Sequence, residues 1–351
     1  MIKISIIIPT YNRCNQISKT LHSIIKLDTP SELFEIIVID NGSTDDTKEI
    51  VDKYIIEYPN YHFKYFYDAI PGLLTGRHRG AKESQSEILC FIDDDVELSS
   101  TWANTIIDTM SERTDISFMT GPNLPKYDIS PPDWLKYFWQ PTPYGGKMCS
   151  ELSLLDIGNT ILEIDPIYVW GLNFTIRKSV FMELQGFHPD NIPEHLQMFQ
   201  GDGETGISLK AKEKGHKALY HPDALLYHQI SESRLSYEYF DKRYFYQGVC
   251  HSYTQIRTEN ALYSQIHIPK IEKEKNILYR IIIYAFGKLK GFISQSNDLP
   301  KGINKLKRRL WQKYNEGYRF HQKAYNESPN VRQWVLKENY FDYSIPGLKL
   351  K

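Results

Sequence analysis

The sequence predicts an α/β fold with a doubly wound, mostly parallel sheet and a C-terminal helical appendage. Short apolar runs alternate with amphipathic segments from the N-terminus onward, as in strands joined by crossover helices. Several of these runs end in polar or acidic loops, which is where open α/β sheets bind their ligands. Beyond residue 230 this alternation stops, and aromatic, basic helical patterns replace it. We therefore expect one α/β domain over residues 1–230 and a helical region over residues 231–351.

The first two strand and helix units are predicted near the N-terminus. Ile4–Ile8 has the continuous apolar character of a buried parallel strand, which Pro9 is expected to stop. Residues 15–27 carry apolar side chains at helical spacing. A second apolar run, 34–39, leads into a polar loop, and a helical pattern follows through residues 50–55. The two polar loops fall at the same sheet edge, which favours a nucleotide pocket over simple helix capping.

An acidic triplet follows the most apolar strand of the chain. After an aromatic strand at 61–67 and a helical segment at 76–82, the run 88–92 leads directly into Asp93, Asp94 and Asp95. Carboxylates this close repel one another, and a hard divalent cation, Mg²⁺ or Mn²⁺ rather than Zn²⁺, relieves that repulsion. The alternative is a solvated acidic turn before a helix capped by a serine.

Charge is distributed unevenly along the chain. The formal net charge is −1, yet residues 231–351 carry 22 Lys and Arg against 11 Asp and Glu. The four cysteines show no paired spacing, which predicts reduced thiols and a cytoplasmic protein. No apolar run approaches the roughly 18 residues of a membrane-spanning helix. The two parts of the chain are therefore expected to differ in role or in partners.

Four motifs in the first 95 residues resemble the N-terminal half of the family 2 glycosyltransferases. They are Ile8-Pro9-Thr10-Tyr11-Asn12-Arg13, Asp40-Asn41-Gly42-Ser43-Thr44-Asp45, Gly76-Arg77-His78-Arg79-Gly80 and Phe91-Ile92-Asp93-Asp94-Asp95. The resemblance implies a GT-A fold, with a nucleotide-binding half over residues 1–98 and an acceptor half over residues 99–230. It also implies inverting transfer of a sugar from a nucleoside diphosphate donor, a UDP-sugar by preference, assisted by Mn²⁺ or Mg²⁺.

The same resemblance implies roles for individual residues of the nucleotide-binding half. Residues expected to bind the nucleotide are Pro9, Thr10, Tyr11, Arg13, Asp40, Gly76, Arg77, Asp93 and Asp94. Asp95 is expected to bind the metal, together with His228 at the end of the apolar segment 218–228. His78 stands where the family commonly has Asn.

The acceptor half supplies the expected base and sugar contacts. Trp170, Gly171 and Asn173 resemble the segment of the family that contacts the sugar or the acceptor. The segment Gly201–Leu209 resembles the opening of the helix that carries the general base. Asp202 is the first candidate for that base and Glu204 the second. A Pro- and Trp-rich stretch over residues 122–143 is either a loop over the acceptor or plain packing.

The basic C-terminal region leaves two interpretations open. Its aromatic and cationic helices over 277–313 favour peripheral contact with an anionic membrane, at the inner face of the cell membrane. The alternative is a helix pair that packs on the α/β domain or forms a homodimer. A nucleic-acid partner is not expected, because no recognition motif accompanies the charge. The expected acceptor is a saccharide or a lipid-linked saccharide.

Two other functions are compatible with part of the pattern. A sugar-phosphate nucleotidyltransferase uses a related sheet, but it normally carries a Gly-rich loop after the first strand, which Pro9-Thr10-Tyr11-Asn12 is not. A non-catalytic protein that binds nucleotide sugars would not need all of the acids described above. Both functions fit the sequence less well than sugar transfer does.

Overall fold

The structure, a computed structural model, describes residues 1–263 and 300–348. The strands are β1 Ile4–Thr10, β2 Phe34–Asp40, β3 His62–Tyr67, β4 Ile88–Ile92, β5 Val96–Leu98, β6 Ile116–Thr120, β7 Asn123–Tyr127, β8 Gln140–Pro141, β9 Lys147–Cys149, β10 Leu154–Asp156, β11 Leu162–Ile164, β12 Asn173–Arg177, β13 Lys217–Tyr220 and β14 Leu226–Ile230. The helices are α1 Cys14–Ile24, α2 Thr47–Glu57, α3 Leu73–Glu83, α4 Trp102–Glu112, α5 Lys178–Glu183, α6 Glu204–Glu213, α7 Tyr237–Glu259, α8 Lys301–Glu327 and α9 Pro329–Val335.

The larger sheet has eight strands in the order β11-β13-β6-β12-β4-β1-β2-β3. β1, β2, β3 and β4 run parallel to one another, whereas β12 is antiparallel to both β4 and β6. Every residue of β1, β2 and β4 is buried, as expected for strands covered on both faces. The predicted mixed α/β fold with a mostly parallel sheet is therefore confirmed.

Helix α3 packs unusually closely against β1. A Cβ atom at Gly80 would lie 2.2 Å from Cγ2 of Ile7, and one at Gly76 would lie 2.6 Å from Cβ of Pro9. These two glycines are four residues apart and therefore share one face of the helix. Their missing side chains let α3 lie against the strand, and this brings the intervening Arg77 to the sheet edge.

Two sequence-based boundaries were wrong. β1 continues through Pro9 to Thr10, since pairing with β4 ends at Ile7 and the missing N–H of Pro9 is tolerated beyond it. The segment predicted as one strand over 218–228 forms two strands that lie in different sheets. A turn at His221, whose carbonyl accepts from the N–H of Ala224, separates the two strands.

A second sheet, of six strands, pairs β5, which follows the acidic triplet, with β14, the last strand of the α/β domain. Its order is β5-β14-β7-β10-β9-β8, and β14 pairs with β5 on one side and with β7 on the other. In this register His228 pairs with Val96, the residue that follows the acidic triplet. The distant segment that contains His228 is thereby fixed beside Asp95.

The C-terminal helices pack on one another and on the α/β domain. α7 crosses α8 where Gly248 approaches the carbonyl of Tyr314, and Gly317 approaches that of Phe245. In each case an added Cβ would lie 2.0 Å from the carbonyl oxygen. Farther along, Trp334 of α9 donates from its indole N–H to the carbonyl of Phe199 at 2.7 Å. Within the described residues, the C-terminal helices therefore pack on one another and on the α/β domain, as the second interpretation predicted.

Two other expectations concern the same region. Residues 277–299 of the predicted membrane-contact segment lie outside the described residues, so that contact stays a prediction, as does the domain boundary at residue 230. In the Pro- and Trp-rich stretch, the rings of Trp134 and Phe240 of α7 pack edge to face, with centroids 4.9 Å apart. Packing is therefore the role observed for Trp134. Within residues 1–263 and 300–348, no helix combines the length and the apolarity needed to cross a membrane.

Candidate active site

The carboxyl ends of β1, β2 and β4 place polar side chains along one edge of the larger sheet. Thr10, the last residue of β1, donates a hydrogen bond from Oγ1 to Oδ2 of Asp94 at 2.7 Å. Asp40, the last residue of β2, accepts hydrogen bonds from the Tyr65 hydroxyl and the Ser43 N–H, both at 2.7 Å. Three parallel strands thus bring together acids that are far apart in the sequence.

The loop after β1 forms the outer rim of this edge. Tyr11 is 56% exposed and lies at the surface, where a planar ligand could stack on its ring. Pro9 and Gly76 are in contact beneath it, as described above for α3. Their proximity shows a packing role for both residues, while the predicted contact of each with a nucleotide stays a prediction.

Arg77 connects the strand edge with the start of α6. Its side chain is 3% exposed, and its guanidinium lies 3.5 Å from Asp93 Oδ1 and 3.6 Å from Glu204 Oε2. The guanidinium also lies over the ring of Phe187, 5.0 Å from its centroid. A Cβ at Gly171 would lie 2.1 Å from Nη2 of Arg77, so a side chain there would displace the guanidinium from its present position. One buried cation therefore faces two acids that come from distant segments.

The three acids after β4 occupy different environments. The Asp93 side chain is 33% exposed, whereas that of Asp95 is 4% exposed. Burial raises the pKa of Asp93, and burial together with the charge of Asp95 raises the pKa of Asp94 to about 7. Burial also disfavours the charge of Asp95, but the neighbouring groups, among them the guanidinium charges of Arg234 and Arg13, outweigh burial and hold the pKa of Asp95 well below its usual range. Asp95 is therefore the firmly ionised member of the triplet.

Two arginines and a histidine surround Asp95. Arg234 Nη2 donates to Asp95 Oδ2 at 2.6 Å, and Arg13 Nη1 donates to the same oxygen at 3.2 Å. His228 Nε2 lies 3.4 Å from Asp95 Oδ1. The other ring nitrogen of His228 hydrogen-bonds the carbonyl of Leu152 at 2.9 Å, so Nδ1 carries the proton and Nε2 presents a lone pair. Arg234 Nη1 donates to that Nε2.

The pair Asp95 and His228 has the chemistry of a divalent-metal site that is completed by substrate. Asp95 Oδ1 is buried and lacks a hydrogen-bond partner, and it faces the imidazole nitrogen of His228. No three His, Cys, Asp or Glu side chains within the described ranges form a metal cage. Mg²⁺ commonly binds to one or two protein ligands and takes its remaining ligands from substrate phosphates and water. The two residues therefore fit such an ion.

The two candidate bases, Asp202 and Glu204, point into different surroundings. Asp202 is buried, and its oxygens accept hydrogen bonds from His188, Thr254 and Tyr263, each at 2.8 Å. Burial opposes its charge, but His188 and these hydrogen bonds outweigh it and lower the pKa of Asp202. Its carboxylate thus joins the α/β domain to α7 and to the segment after it.

Glu204, the first residue of α6, faces the sheet edge instead. Its side chain is 28% exposed, and its nearest polar neighbours are Arg77 at 3.6 Å and the N–H of Gly171 at 3.5 Å. Burial raises the pKa of Glu204 despite the opposing charge of Arg77. Gly203, with φ +56°, forms the turn that points the two acids in different directions.

The predicted acceptor residues are only partly gathered at this edge. Asn173 is fully buried, and its side chain accepts from the indole N–H of Trp102 at 3.1 Å and donates to the carbonyl of Ala224 at 3.0 Å. Trp170 is 9% exposed and donates to the carbonyl of Ile167 at 3.1 Å. Gly171 contacts Arg77, whereas the amide of Asn173 is engaged inside the protein. Acceptor roles for Trp170 and Asn173 stay predictions.

Sequence reasoning did not single out Arg234 or Tyr263. Arg234 follows His228 by six residues in the short 3₁₀ segment Glu232–Leu235, and only the pairing of β14 with β5 brings it to Asp95. Tyr263 lies 61 positions from Asp202, so no local spacing indicated their contact. His78, by contrast, is buried and accepts a hydrogen bond from the N–H of Phe187, away from the strand ends.

Comparisons with known proteins bear on the fold and the family of this chain. Residues 5–150 match the family model described as Glycosyl transferase family 2. A glucosyl-dolichyl phosphate glucuronosyltransferase of Haloferax volcanii is 23% identical over 297 residues, which is 83% of this chain and 87% of that protein. Glycosyltransferase AglE of the same organism is 33% identical over 108 residues, which is 31% of this chain and 35% of that protein. A mannosyltransferase from Pyrobaculum calidifontis, solved with GDP-Man and Mn²⁺, has a TM-score of 0.53 at 15% identity, covering 97% of this chain and 85% of its own.

The fold and the relatives define the class of this protein: it is a glycosyltransferase with a GT-A fold. The match over residues 5–150 confirms, for that part of the chain, the resemblance to family 2 glycosyltransferases that the four motifs predicted.

Proposed function

We propose that the protein transfers a sugar with inversion from a nucleoside diphosphate donor to an acceptor hydroxyl, with Glu204 as the general base. The observation that carries this proposal is the position of Arg77 between Asp93 and Glu204, at 3.5 and 3.6 Å. One acid from the donor edge lies near Nη2 of this buried cation, and one from the start of α6 lies near its Nη1. Inverting transfer needs such an arrangement, with the base across from the leaving group.

The donor lies along the strand ends in this proposal. Asp40 and Asp93 accept hydrogen bonds from the base and the ribose, and Thr10 fixes Asp94 behind them. Arg77 and Arg13 face the diphosphate, since guanidinium groups match phosphate oxygens in geometry and charge. We propose a UDP-sugar. The name of the Haloferax volcanii relative, a glucuronosyltransferase, supports the transfer of a sugar.

Asp95 and His228 would hold a divalent cation, Mn²⁺ or Mg²⁺. When bound there, the ion would offset the charge that develops on the departing nucleoside diphosphate. The unpartnered Oδ1 of Asp95 and the lone pair of His228 Nε2 support this assignment. The Mn²⁺ in the mannosyltransferase with the similar fold is in keeping with it.

Glu204 is a better base than Asp202 on three grounds. Its carboxylate is partly open to the site, whereas the side chain of Asp202 is 2% exposed. Its contacts are long, which leaves its lone pairs free for the acceptor proton, whereas three short hydrogen bonds occupy Asp202. Its raised pKa also makes it a stronger base once ionised. Asp202, the first candidate from the sequence, is proposed to have a structural role.

The acceptor is proposed to be a lipid-linked saccharide. Support comes from the name of the Haloferax volcanii relative, whose acceptor is a glucosyl-dolichyl phosphate and which matches 83% of this chain. Glu204 is partly exposed, so an acceptor can reach its carboxylate. The acceptor hydroxyl would approach from the side of Glu204.

A donor panel tests the proposal. Purified protein is incubated with MnCl₂ and with UDP- and GDP-sugars in turn, and the release of free nucleoside diphosphate is measured with and without a short-chain dolichyl-phosphate saccharide. We expect release from at least one UDP-sugar that increases with the acceptor. Release from GDP-sugars alone would overturn the choice of UDP. Absence of release from every donor, by protein that binds UDP, would overturn the proposed activity.

A further inference from the structure

Arg234 occupies the space between the two residues proposed to bind the metal. One of its terminal nitrogens donates to Asp95 at 2.6 Å, and the other donates to Nε2 of His228. The lone pair of Nε2 can accept an N–H or bind a cation, but it cannot do both. Arg234 therefore holds the position that a divalent ion would need.

From this arrangement we infer that Arg234 is a further residue of the donor site and exchanges places with the divalent cation. Without donor, its guanidinium balances the charge of Asp95 and donates a hydrogen bond to His228. When metal and nucleotide bind, it leaves these two residues and faces the diphosphate. The inference rests on the proposed function, because it requires a metal-assisted nucleotide donor at this edge.

Electrostatics supports exchange rather than simultaneous binding. A guanidinium and a divalent ion that both contacted the same two side chains would lie within a few ångströms of each other, where like charges repel strongly at low dielectric constant. The diphosphate of the donor offers the displaced guanidinium a new bidentate partner. The diphosphate thus replaces Asp95 as the negative partner of Arg234, and the guanidinium charge is paired in both states.

The surroundings of Arg234 allow this movement. It lies in the 3₁₀ segment Glu232–Leu235, and its side chain is 18% exposed. Together with Arg13, Lys19 and Asp95 it lines an open pocket. The guanidinium adjoins open space on that side, and the charged side chains of the pocket are the cations Arg13, Lys19 and Arg234 and the acids Asp95 and Asp128.

Arg13 provides an internal comparison. It also donates to Asp95, but at 3.2 Å and only to Oδ2, and its side chain is 37% exposed. It does not occupy the lone pair of His228. Removing Arg13 should therefore free the metal position much less than removing Arg234.

The test measures Mn²⁺ and nucleotide binding separately. The full-length protein is titrated with MnCl₂ alone, and free Mn²⁺ is followed by electron paramagnetic resonance. UDP is then titrated by calorimetry at saturating Mn²⁺. The variants are Arg234→Met, Arg234→Lys and Arg13→Met, with the remote surface change Arg113→Met as control. Circular dichroism and thermal unfolding establish that each variant is folded.

We expect two opposite effects in Arg234→Met. The dissociation constant for Mn²⁺ alone should fall about tenfold, because a charge-assisted hydrogen bond no longer competes for the site. The dissociation constant for UDP at saturating Mn²⁺ should rise about tenfold, because the diphosphate loses a guanidinium. A merely structural role could not move the two constants in opposite directions. Arg234→Lys should lie between, since one ammonium cannot contact Asp95 and His228 together.

Three results would overturn the inference. Unchanged Mn²⁺ affinity in folded Arg234→Met would show that Arg234 does not compete with the ion. An equal gain in Arg13→Met would show that only net charge matters. Mn²⁺ binding that is absent from the wild type and from every variant would refute the metal assignment of the proposed function, and the exchange with it. In the first two cases the proposed function stands.

Discussion

Replacing Glu204 by Gln separates the two acids that the sequence offered as the base. The change keeps the size of the side chain and removes only its ability to take a proton. A general base contributes about 10²- to 10⁴-fold to the rate, or about 2.7–5.4 kcal/mol of the activation free energy. We therefore expect the turnover rate of Glu204→Gln to fall by that factor, while UDP binding changes by less than about threefold because no donor contact is lost.

The geometry indicates that this loss is catalytic and not structural. Glu204 makes only contacts of 3.5 and 3.6 Å, and its side chain is 28% exposed, so its replacement should change the free energy of unfolding by less than about 0.5 kcal/mol. The matched control is Glu183→Gln, an exposed glutamate of α5 that pairs with Lys214 at the surface. Nucleotide release under saturating donor and acceptor is the measurement, and urea unfolding accompanies it.

The pH profile gives a second readout of the same residue. The base must be ionised, so the turnover rate of the wild type should fall as the pH drops through the raised pKa of Glu204. That acid limb should disappear in Glu204→Gln. A folded Glu204→Gln variant with normal transfer, beside an inactive and folded Asp202→Asn, would refute the assignment and restore the base role to Asp202.

The remaining predictions concern stability and the metal. Asp202→Asn should lower the free energy of unfolding by about 1.5–3 kcal/mol, because it removes the charge from a buried hydrogen-bonded group. Folding lowers the pKa of Asp202, so the difference in unfolding free energy between wild type and variant should be complete above the ordinary pKa of aspartate. It should shrink as the pH falls through the lowered pKa of the folded state. A difference that does not depend on pH in urea unfolding would contradict this prediction. Gly317→Ala should destabilise the protein by about 1–3 kcal/mol, since the new Cβ would lie 2.0 Å from the carbonyl oxygen of Phe245. The control Gly302→Ala, whose Cβ would have no atom within 4 Å, should be neutral or stabilising. Equal unfolding midpoints for the two variants would be the contrary result. Asp95→Ala should weaken Mn²⁺-dependent UDP binding at least about tenfold by calorimetry, and an unaltered metal titration would remove Asp95 from the site.

The sequence was informative where function depends on the order of strands and loops. Apolar runs followed by polar or acidic loops predicted β1, β2 and β4, and parallel strands necessarily bring their carboxyl ends to one edge. Asp40 and the acidic triplet were found in this way, and Thr10 was found through the resemblance to the family. Their approach requires only that the strands be parallel neighbours, and hydrophobic patterning is a good guide to that arrangement.

The sequence was less informative about the direction of individual side chains. Asp202 and Glu204 are two positions apart, and both precede a helical pattern. The positive φ of Gly203 and the packing of His188 and Tyr263 turn one acid inward and leave the other at the site. A turn of this kind has no periodicity, so its side-chain directions are set by contacts with distant residues.

The sequence by itself determined the α/β class of this protein, the strand ends that form the site and the family to which residues 5–150 belong. The tertiary structure alone decided that Asp202 is enclosed, that Glu204 faces Arg77, and that Arg234 lies between Asp95 and His228. The physical reason is that patterning records which faces of local elements are buried. Contacts between residues tens of positions apart depend on sheet pairing and domain packing, which no short stretch of sequence encodes.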